Sequence, residues 1–143
     1  MIRLALALVL IAAQTLAAPE RYRLDTQASS VRFTYDFAGG TRRGTMPVAS
    51  AEMWLDLAEP SQSRVTVRLD ARDARAGFFF ATQAMTGPRV LDTAQHPLIT
   101  FRSTAITGSL AQATVTGQLT VRGVTRPVTL TAGLYRTRDS DPA

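Results

Sequence analysis

The chain has 143 residues, of which 45% are hydrophobic, and 16 basic against 11 acidic residues give it a formal net charge of +5. This length and hydrophobic content predict one globular domain. The absence of cysteine excludes disulfides and thiolate metal sites. All 16 basic residues are arginines, and because most stand singly they favour a solvated surface over a nucleic-acid-binding face.

Residues 1–17 have the layout of a secretory signal peptide. An unbroken apolar run, 4–13, follows Arg3, and small residues stand at the positions expected for cleavage after Ala17. The run is shorter than the roughly 20 residues that a helix needs to cross a bilayer. We therefore expect an exported, soluble chain that does not span a membrane, and an uncleaved N-terminal anchor is the alternative.

Apolar and polar residues alternate with period two along most of the remaining chain, which predicts antiparallel strands with one buried face. The alternating segments are 30–37, 46–57, 64–71, 98–106, 114–123 and 126–134. Turn signals at 38–40, 59–61, 107–109 and 122–123 separate them. About seven short strands with tight connections predict an all-β fold that closes into a barrel, and a two-sheet sandwich is the alternative.

One segment, 76–91, breaks the alternation. Phe78, Ala81, Thr82 and Met85 follow one another at helical spacing, and the proline after Gly87 ends a helix there. We expect one short helical segment at about residues 77–91, either one helix or two, that covers a mouth of the barrel.

Residues suited to catalysis do not form a recognisable group. His96 is the only histidine, and no serine stands in a nucleophile-elbow motif. Asp25, Asp70, Asp73 and Asp92 fall near the ends of predicted elements, where carboxylates commonly act as caps. No cluster of metal ligands and no glycine-rich phosphate loop is present in the sequence. The sequence therefore predicts a protein that is not an enzyme and needs no cofactor.

The large apolar side chains on the predicted strands and helix indicate a pocket for a hydrophobic ligand. The alternative is a filled core without a cavity, which would make the protein a structural or interaction module. The predicted lining residues are Phe33, Tyr35, Phe37, Met53, Leu55, Val67, Leu69, Phe78, Phe79, Phe80, Met85, Ile99, Phe101, Leu119 and Val121.

Several stretches together resemble the YceI-like family. The opening RYRLDTQASSVRFTY (21–35) resembles the start of that family, and HPLITFRST (96–104) resembles its proline followed by I-T-F-x-S-T. GQLTVRGVTRPVTL (117–130) resembles its G-x-L-T-x-x-G-V-T-x-P-V-T-L stretch, and 41–57 and 90–97 also fit. Order and spacing agree from Arg21 to about Leu134.

The resemblance implies a lipocalin-like antiparallel β-barrel over residues 21–136, followed by a tail at 137–143. It further implies that the barrel interior binds a long isoprenoid chain, such as a polyisoprenoid lipid or a quinone tail, and that the protein is periplasmic. Apolar burial alone can supply affinity for such a chain, at about 25 cal/mol per Å². A polar binding motif is therefore not required.

The sequence departs from the family in two places. Ala28 stands where the family commonly has a histidine. Relatives also continue for some tens of residues beyond the last predicted strand, so we expect a barrel that is incomplete at its C-terminal side. Three explanations remain open: a shortened member, a truncated gene model, or completion by a partner or a second copy. The last would give a homodimer through the open barrel edge.

Overall fold

The computed structural model describes residues 18–135; the predicted signal peptide (1–17) and the predicted tail (137–143) lie outside the described residues. The described part is mainly strand, as predicted. Its strands are β1 (Glu20–Tyr22), β2 (Ser30–Phe37), β3 (Gly40–Leu55), β4 (Arg64–Asp70), β5 (Leu98–Gly108), β6 (Ala113–Val121) and β7 (Val124–Ala132). One α-helix, α1 (Phe79–Thr86), and two 3-10 turns, Pro60–Gln62 and Ala71–Asp73, join them.

The seven strands form one antiparallel sheet in the order β1-β3-β4-β5-β6-β7, with β2 also paired to β3. The long strand β3 pairs along both of its edges. Met53 pairs with Tyr22 and Val65, while Thr45 pairs with Arg32 and bridges to Arg75. Strands β1 and β2 therefore lie in succession along one edge of β3, and β4 lies along the other.

Three sequence expectations need correction. Barrel closure is not confirmed, because within residues 18–135 strand β7 pairs with β6 alone. The helix is shorter than 77–91, since Gly77 has a φ of +93° and Phe78 is extended, while residues 88–95 form turns. Strand β3 begins at residue 40 instead of 46 and ends before Leu57. Strand β1 was not predicted because three residues are too few to show alternation.

Two bulges determine which residues face the core. The pairing of β3 with β4 shifts between Val48 and Ser50, and that of β5 with β6 shifts between Ser103 and Ala105. Each extra residue reverses the alternation, because successive side chains of a strand point to opposite faces. Even-numbered residues of β3 therefore face the core before the bulge and odd-numbered residues after it.

The core consists of two small clusters, one toward each end of the sheet. Near α1, Met46, Ala71 and Ala74 are buried, with Phe33, Leu69, Leu91 and Ile99 packed against them. Toward the other end, Phe101, Ile106, Ala113 and Val115 are buried, with Val65, Leu119 and Val128 around them. In the described chain no large side chain is less than 2% exposed. The sheet therefore has one apolar face that is only partly covered.

A carboxylate holds the turn between β4 and the helical segment. Asp70 accepts hydrogen bonds from the backbone N–H of Arg72 and from Nε and Nη2 of the same arginine, at 3.0, 3.0 and 2.9 Å. These bonds, above all the side-chain bond from Arg72, hold the pKa of Asp70 below its ordinary value of about 3.8.

This pair predicts a specific acid sensitivity. Because the pKa of Asp70 is lower in the folded state, the unfolded state binds more protons just below pH 4. The stabilisation by the Asp70–Arg72 pair is complete above the pKa that Asp70 has in the unfolded chain. It is lost as the pH falls through the lower pKa that Asp70 has in the folded protein. We expect Asp70→Asn and Arg72→Gln each to reduce the fall in unfolding free energy between about pH 4 and pH 2. Urea denaturation at a series of pH values measures the free energy of unfolding. The prediction is contradicted if that free energy falls as steeply with pH in both variants as in the parent chain.

Candidate functional site

The predicted lining residues of the strands share one face of the sheet. Val67 pairs with Phe101, Phe101 pairs with Leu119, and Leu69 pairs with Ile99, so their side chains point to the same side. The same face carries these further predicted residues: Phe33, Tyr35, Phe37, Met53, Leu55 and Val121. Most of them are half-buried, Phe101 is buried and Phe37 is exposed.

The predicted helical residues lie elsewhere. Phe78, Phe79 and Phe80 are 38%, 68% and 75% exposed, and Met85 is half-buried. The helix turns its small residue Ala81 toward the protein instead. The three phenylalanine rings therefore point outward at the α1 end of the sheet.

A pocket of about 200 Å³ lies at the opposite end of the sheet from α1. It lies between the ends of β3, β5 and β7 and the starts of β4 and β6. Its lining is almost wholly aliphatic: Leu55, Leu57, Pro60, Ser63, Val65, Ile106, Ser109, Leu110, Ala113, Val115, Ala132, Gly133 and Leu134. Of the residues predicted from sequence, only Leu55 lines it. We call it the aliphatic pocket.

Local hydrogen bonds form the rim of the aliphatic pocket. The buried Asp56 accepts from the N–H groups of Ala58 and Glu59 at 2.9 and 2.8 Å, and its own N–H donates to Oγ of Ser63 at 2.8 Å. This is an Asx turn, which holds the loop that carries Leu57.

The opposite side of the rim is held by backbone bonds. The N–H of Leu134 donates to the carbonyl of Leu110 at 2.8 Å, and the N–H of Ser109 donates to the carbonyl of Gln112 at 3.2 Å. The chain after β7 is thus held against the β5–β6 turn. Sequence periodicity missed this site because loop residues have no strand period. The signal that could have found it is a leucine just beyond the end of each of three strands: Leu57, Leu110 and Leu134.

A second pocket, open and basic, lies on the other face of the sheet near α1. Its volume is about 720 Å³, and Arg32, Arg43 and Arg75 line it together with Thr34 and Thr45. Sequence analysis assigned these arginines to the solvated surface, because spacing along the chain does not show that β2, β3 and the connection that carries Arg75 bring them together.

Groups for catalysis do not converge in the described residues. The N–H of His96 donates to the carbonyl of Asp92 at 2.8 Å, and its ring lies against Gly123 in the turn between β6 and β7. Residues 18–135 contain no group of three or more potential metal ligands. Within the same range, no helix is long and apolar enough to cross a membrane.

Fold and site together define a small antiparallel β protein with one partly open apolar face. A YceI-like domain model matches residues 22–140, so the chain belongs to the YceI-like family, as the sequence motifs predicted. The proteins named YceI of Escherichia coli O157:H7 and Salmonella newport are each 30% identical over 99 residues, which is 69% of this chain and 51% of theirs. The chain thus spans about half the length of these curated relatives.

Solved structures show the same fold. BcnA of Burkholderia cenocepacia superposes with a TM-score of 0.64 at 22% identity, covering 76% of this chain and 67% of that one. The YCEI protein of Campylobacter jejuni gives 0.62 at 18% identity, with coverage of 84% and 73%. At these identities the likeness concerns the fold alone.

Proposed function

We propose that the protein is an exported, periplasmic, non-catalytic carrier that binds a long apolar molecule of the polyisoprenoid class. The observation that supports this best is the aliphatic pocket. Its lining offers the two hydroxyls of Ser63 and Ser109 among aliphatic side chains and backbone. Such a surface favours a hydrocarbon chain and gives little to hold a polar substrate in one orientation.

The size of the pocket limits the mode of binding. About 200 Å³ is less than the roughly 300–1,000 Å³ of typical small-molecule sites. A long chain would therefore place one segment in the aliphatic pocket and run onward over the half-buried apolar face of the sheet. Two small core clusters, in place of one closed core, leave that face partly uncovered.

The direct test is organic extraction of the purified, folded protein, followed by mass spectrometry of the extract. We expect an isoprenoid lipid or quinone in amounts comparable to the protein. Folded protein that yields no apolar compound, and that shows no thermal shift with added polyprenol, would favour the alternative of a structural module without a ligand.

Filling the pocket should lower its occupancy. Ala132 lies on the apolar face opposite Ala113 and lines the pocket, whereas its neighbour Thr131 points to the other face. We expect Ala132→Phe to weaken the binding of added polyprenol about tenfold, because it excludes two methylene groups at about 0.8 kcal/mol each, and to lower the amount of ligand recovered.

Thr131→Phe is the matched control, since it adds a phenyl ring to the same exposed strand without reaching the pocket. It should leave the ligand content as in the parent chain. Equal ligand loss in both variants would place the ligand outside the aliphatic pocket.

A further inference from the structure

The α1 end of the molecule carries an exposed aromatic surface, which we call the aromatic tip: Phe37, Phe78, Phe79 and Phe80. The rings of Phe37 and Phe78 pack edge to face with centroids 5.7 Å apart, and those of Phe79 and Phe80 do so at 5.6 Å. The guanidinium of Arg42 lies 5.9 Å from the centroid of the Phe78 ring. The rings thus form two edge-to-face pairs, and Phe78 and Phe79, one ring of each pair, line the same open pocket.

Helix α1, which carries Phe79 and Phe80 of the tip, has the reverse of the usual orientation. An α-helix on a protein surface normally buries its large apolar side chains and exposes polar ones. Here Ala81 is buried while Phe79 and Phe80 are the most exposed phenylalanines in the described chain. Exposed contiguous apolar surface of this kind marks an interaction site.

An arginine cluster, Arg32, Arg43 and Arg75, adjoins the tip. Arg32 pairs with Thr45 on one side, and Arg75 bridges to Thr45 on the other through backbone hydrogen bonds of 2.8 and 2.9 Å. Arg43 lies two residues along the same strand and faces the same side. These three arginines are thus gathered around one threonine.

The cluster has no anionic partner in the described chain. Within residues 18–135 the ion pairs are Arg68–Glu52 and Arg72–Asp70, and neither includes a member of the cluster. The nearest carboxylate along the hairpin, that of Asp36, is exposed and accepts a hydrogen bond from Thr41. Like charges placed side by side repel one another, so an external anion would relieve this arrangement.

The aromatic and basic surfaces meet at Arg75 and Gly77. Both residues line the open, basic pocket of about 720 Å³ described above. Both also line a third pocket, of about 510 Å³, together with Phe78, Phe79 and Thr82. A partner on this end therefore meets exposed rings together with guanidinium groups that have no carboxylate partner within residues 18–135.

We propose that this end of the protein docks onto the surface of an anionic phospholipid bilayer. The rings of the tip enter the interface between headgroups and acyl chains, and the arginine cluster binds headgroup phosphates. Val90, Leu98 and Val124 are also exposed at this end of the sheet and add aliphatic surface to it. This composition fits a lipid interface better than a nucleic acid, which needs aromatic faces spaced along a basic groove.

The proposal is independent of the apolar-ligand function, because the aliphatic pocket lies at the other end of the sheet. Membrane docking can be disproved while ligand binding is confirmed, and the reverse is equally possible. Bilayer docking at the α1 end leaves the aliphatic pocket facing away from the membrane.

Vesicle co-sedimentation tests the proposal. The full chain, recovered after export with its N-terminus verified by mass spectrometry, is mixed with vesicles of phosphatidylcholine alone or with an equal amount of phosphatidylglycerol. Every variant carries the same N-terminus, so comparisons isolate the α1 end. We expect binding to the anionic vesicles that weakens as salt is raised, and far weaker binding to neutral ones.

Two double variants separate the contributions. Phe79→Ser/Phe80→Ser should lower the partition coefficient at least about tenfold. Arg43→Gln/Arg75→Gln should lower it roughly 25-fold on anionic vesicles only, at about fivefold for each arginine. Circular dichroism should show parent-like melting for both, since the four side chains replaced are exposed.

Matched controls lie away from this end. Arg23→Gln/Arg102→Gln removes the same charge, and Tyr135→Ser removes an aromatic ring that is 83% exposed. Each should change partitioning less than about threefold. Vesicle binding that is absent, or equally affected in test and control variants, would overturn the proposal. So would sedimentation velocity showing that the tip instead joins two copies, or single-stranded DNA binding in place of vesicle binding.

Discussion

Replacing Gly44 with alanine is expected to destabilise the protein by about 3 kcal/mol. A Cβ atom on Gly44 would lie 2.5 Å from Cε2 of Phe33 and 2.6 Å from the carbonyl oxygen of Arg75. Phe33 is its cross-strand partner, so the ring lies directly over the glycine. The ring can move by rotating, but the carbonyl of Arg75 accepts from the N–H of Thr45 and cannot move without breaking that bond.

Gly40→Ala is the matched control on the same strand. A Cβ atom there has its closest neighbour at 4.0 Å, the carbonyl oxygen of Phe37. Alanine at this position should be neutral or stabilising by about 0.5 kcal/mol, because it restricts the unfolded chain. Urea denaturation of both variants gives the comparison, and a Gly44→Ala loss no larger than that of Gly40→Ala would show that the hairpin adapts freely.

A double variant separates the two contacts of Gly44. Phe33→Leu removes the ring but leaves the Arg75 carbonyl in place. If the carbonyl dominates, the cost of Gly44→Ala stays the same in the Phe33→Leu background. If the ring dominates, most of the cost disappears, and the two substitutions are strongly non-additive.

The strands could be predicted because alternation is a local property of the sequence. Val65, Val67 and Leu69 face one side of β4 regardless of what packs on them. The two bulges could not be predicted, since a single extra residue leaves no compositional mark. The recognised segment of β3, 46–57, contains the first bulge, and the residues predicted to face the interior, Met53 and Leu55, lie beyond it.

The helix and the site show where local information ends. The spacing of Phe78, Ala81, Thr82 and Met85 predicted a helix, but spacing alone does not show which side packs against the sheet. Tertiary contacts decide that, and they bury Ala81 and expose the phenylalanines. The aliphatic pocket depends on loops brought together from three places in the chain, so only the folded structure reveals it.

Truncation of Phe101 to alanine is expected to have the largest effect on stability, about 3–5 kcal/mol. Its side chain is 9% exposed and belongs to the cluster with Ile106, Ala113 and Val115. Its ring also covers Gly117, where an added Cβ would lie 2.5 Å from the ring Cζ. Phe80→Ala, at a position 75% exposed, is the control and should cost less than about 0.5 kcal/mol.

This variant also tests whether core and ligand site share one apolar space. Ile106, Ala113 and Val115 belong both to the Phe101 cluster and to the aliphatic pocket lining, so the cavity left by the ring should join the pocket. An added polyprenol should then raise the Tm of Phe101→Ala more than that of the parent chain, because binding stabilises by RT ln(1 + [L]/Kd) and a larger cavity lowers Kd. Should the alanine variant fail to fold, Phe101→Leu provides the same comparison at a smaller cost. Equal ligand-induced shifts in parent and variant would mean that the cavity stays closed to the pocket.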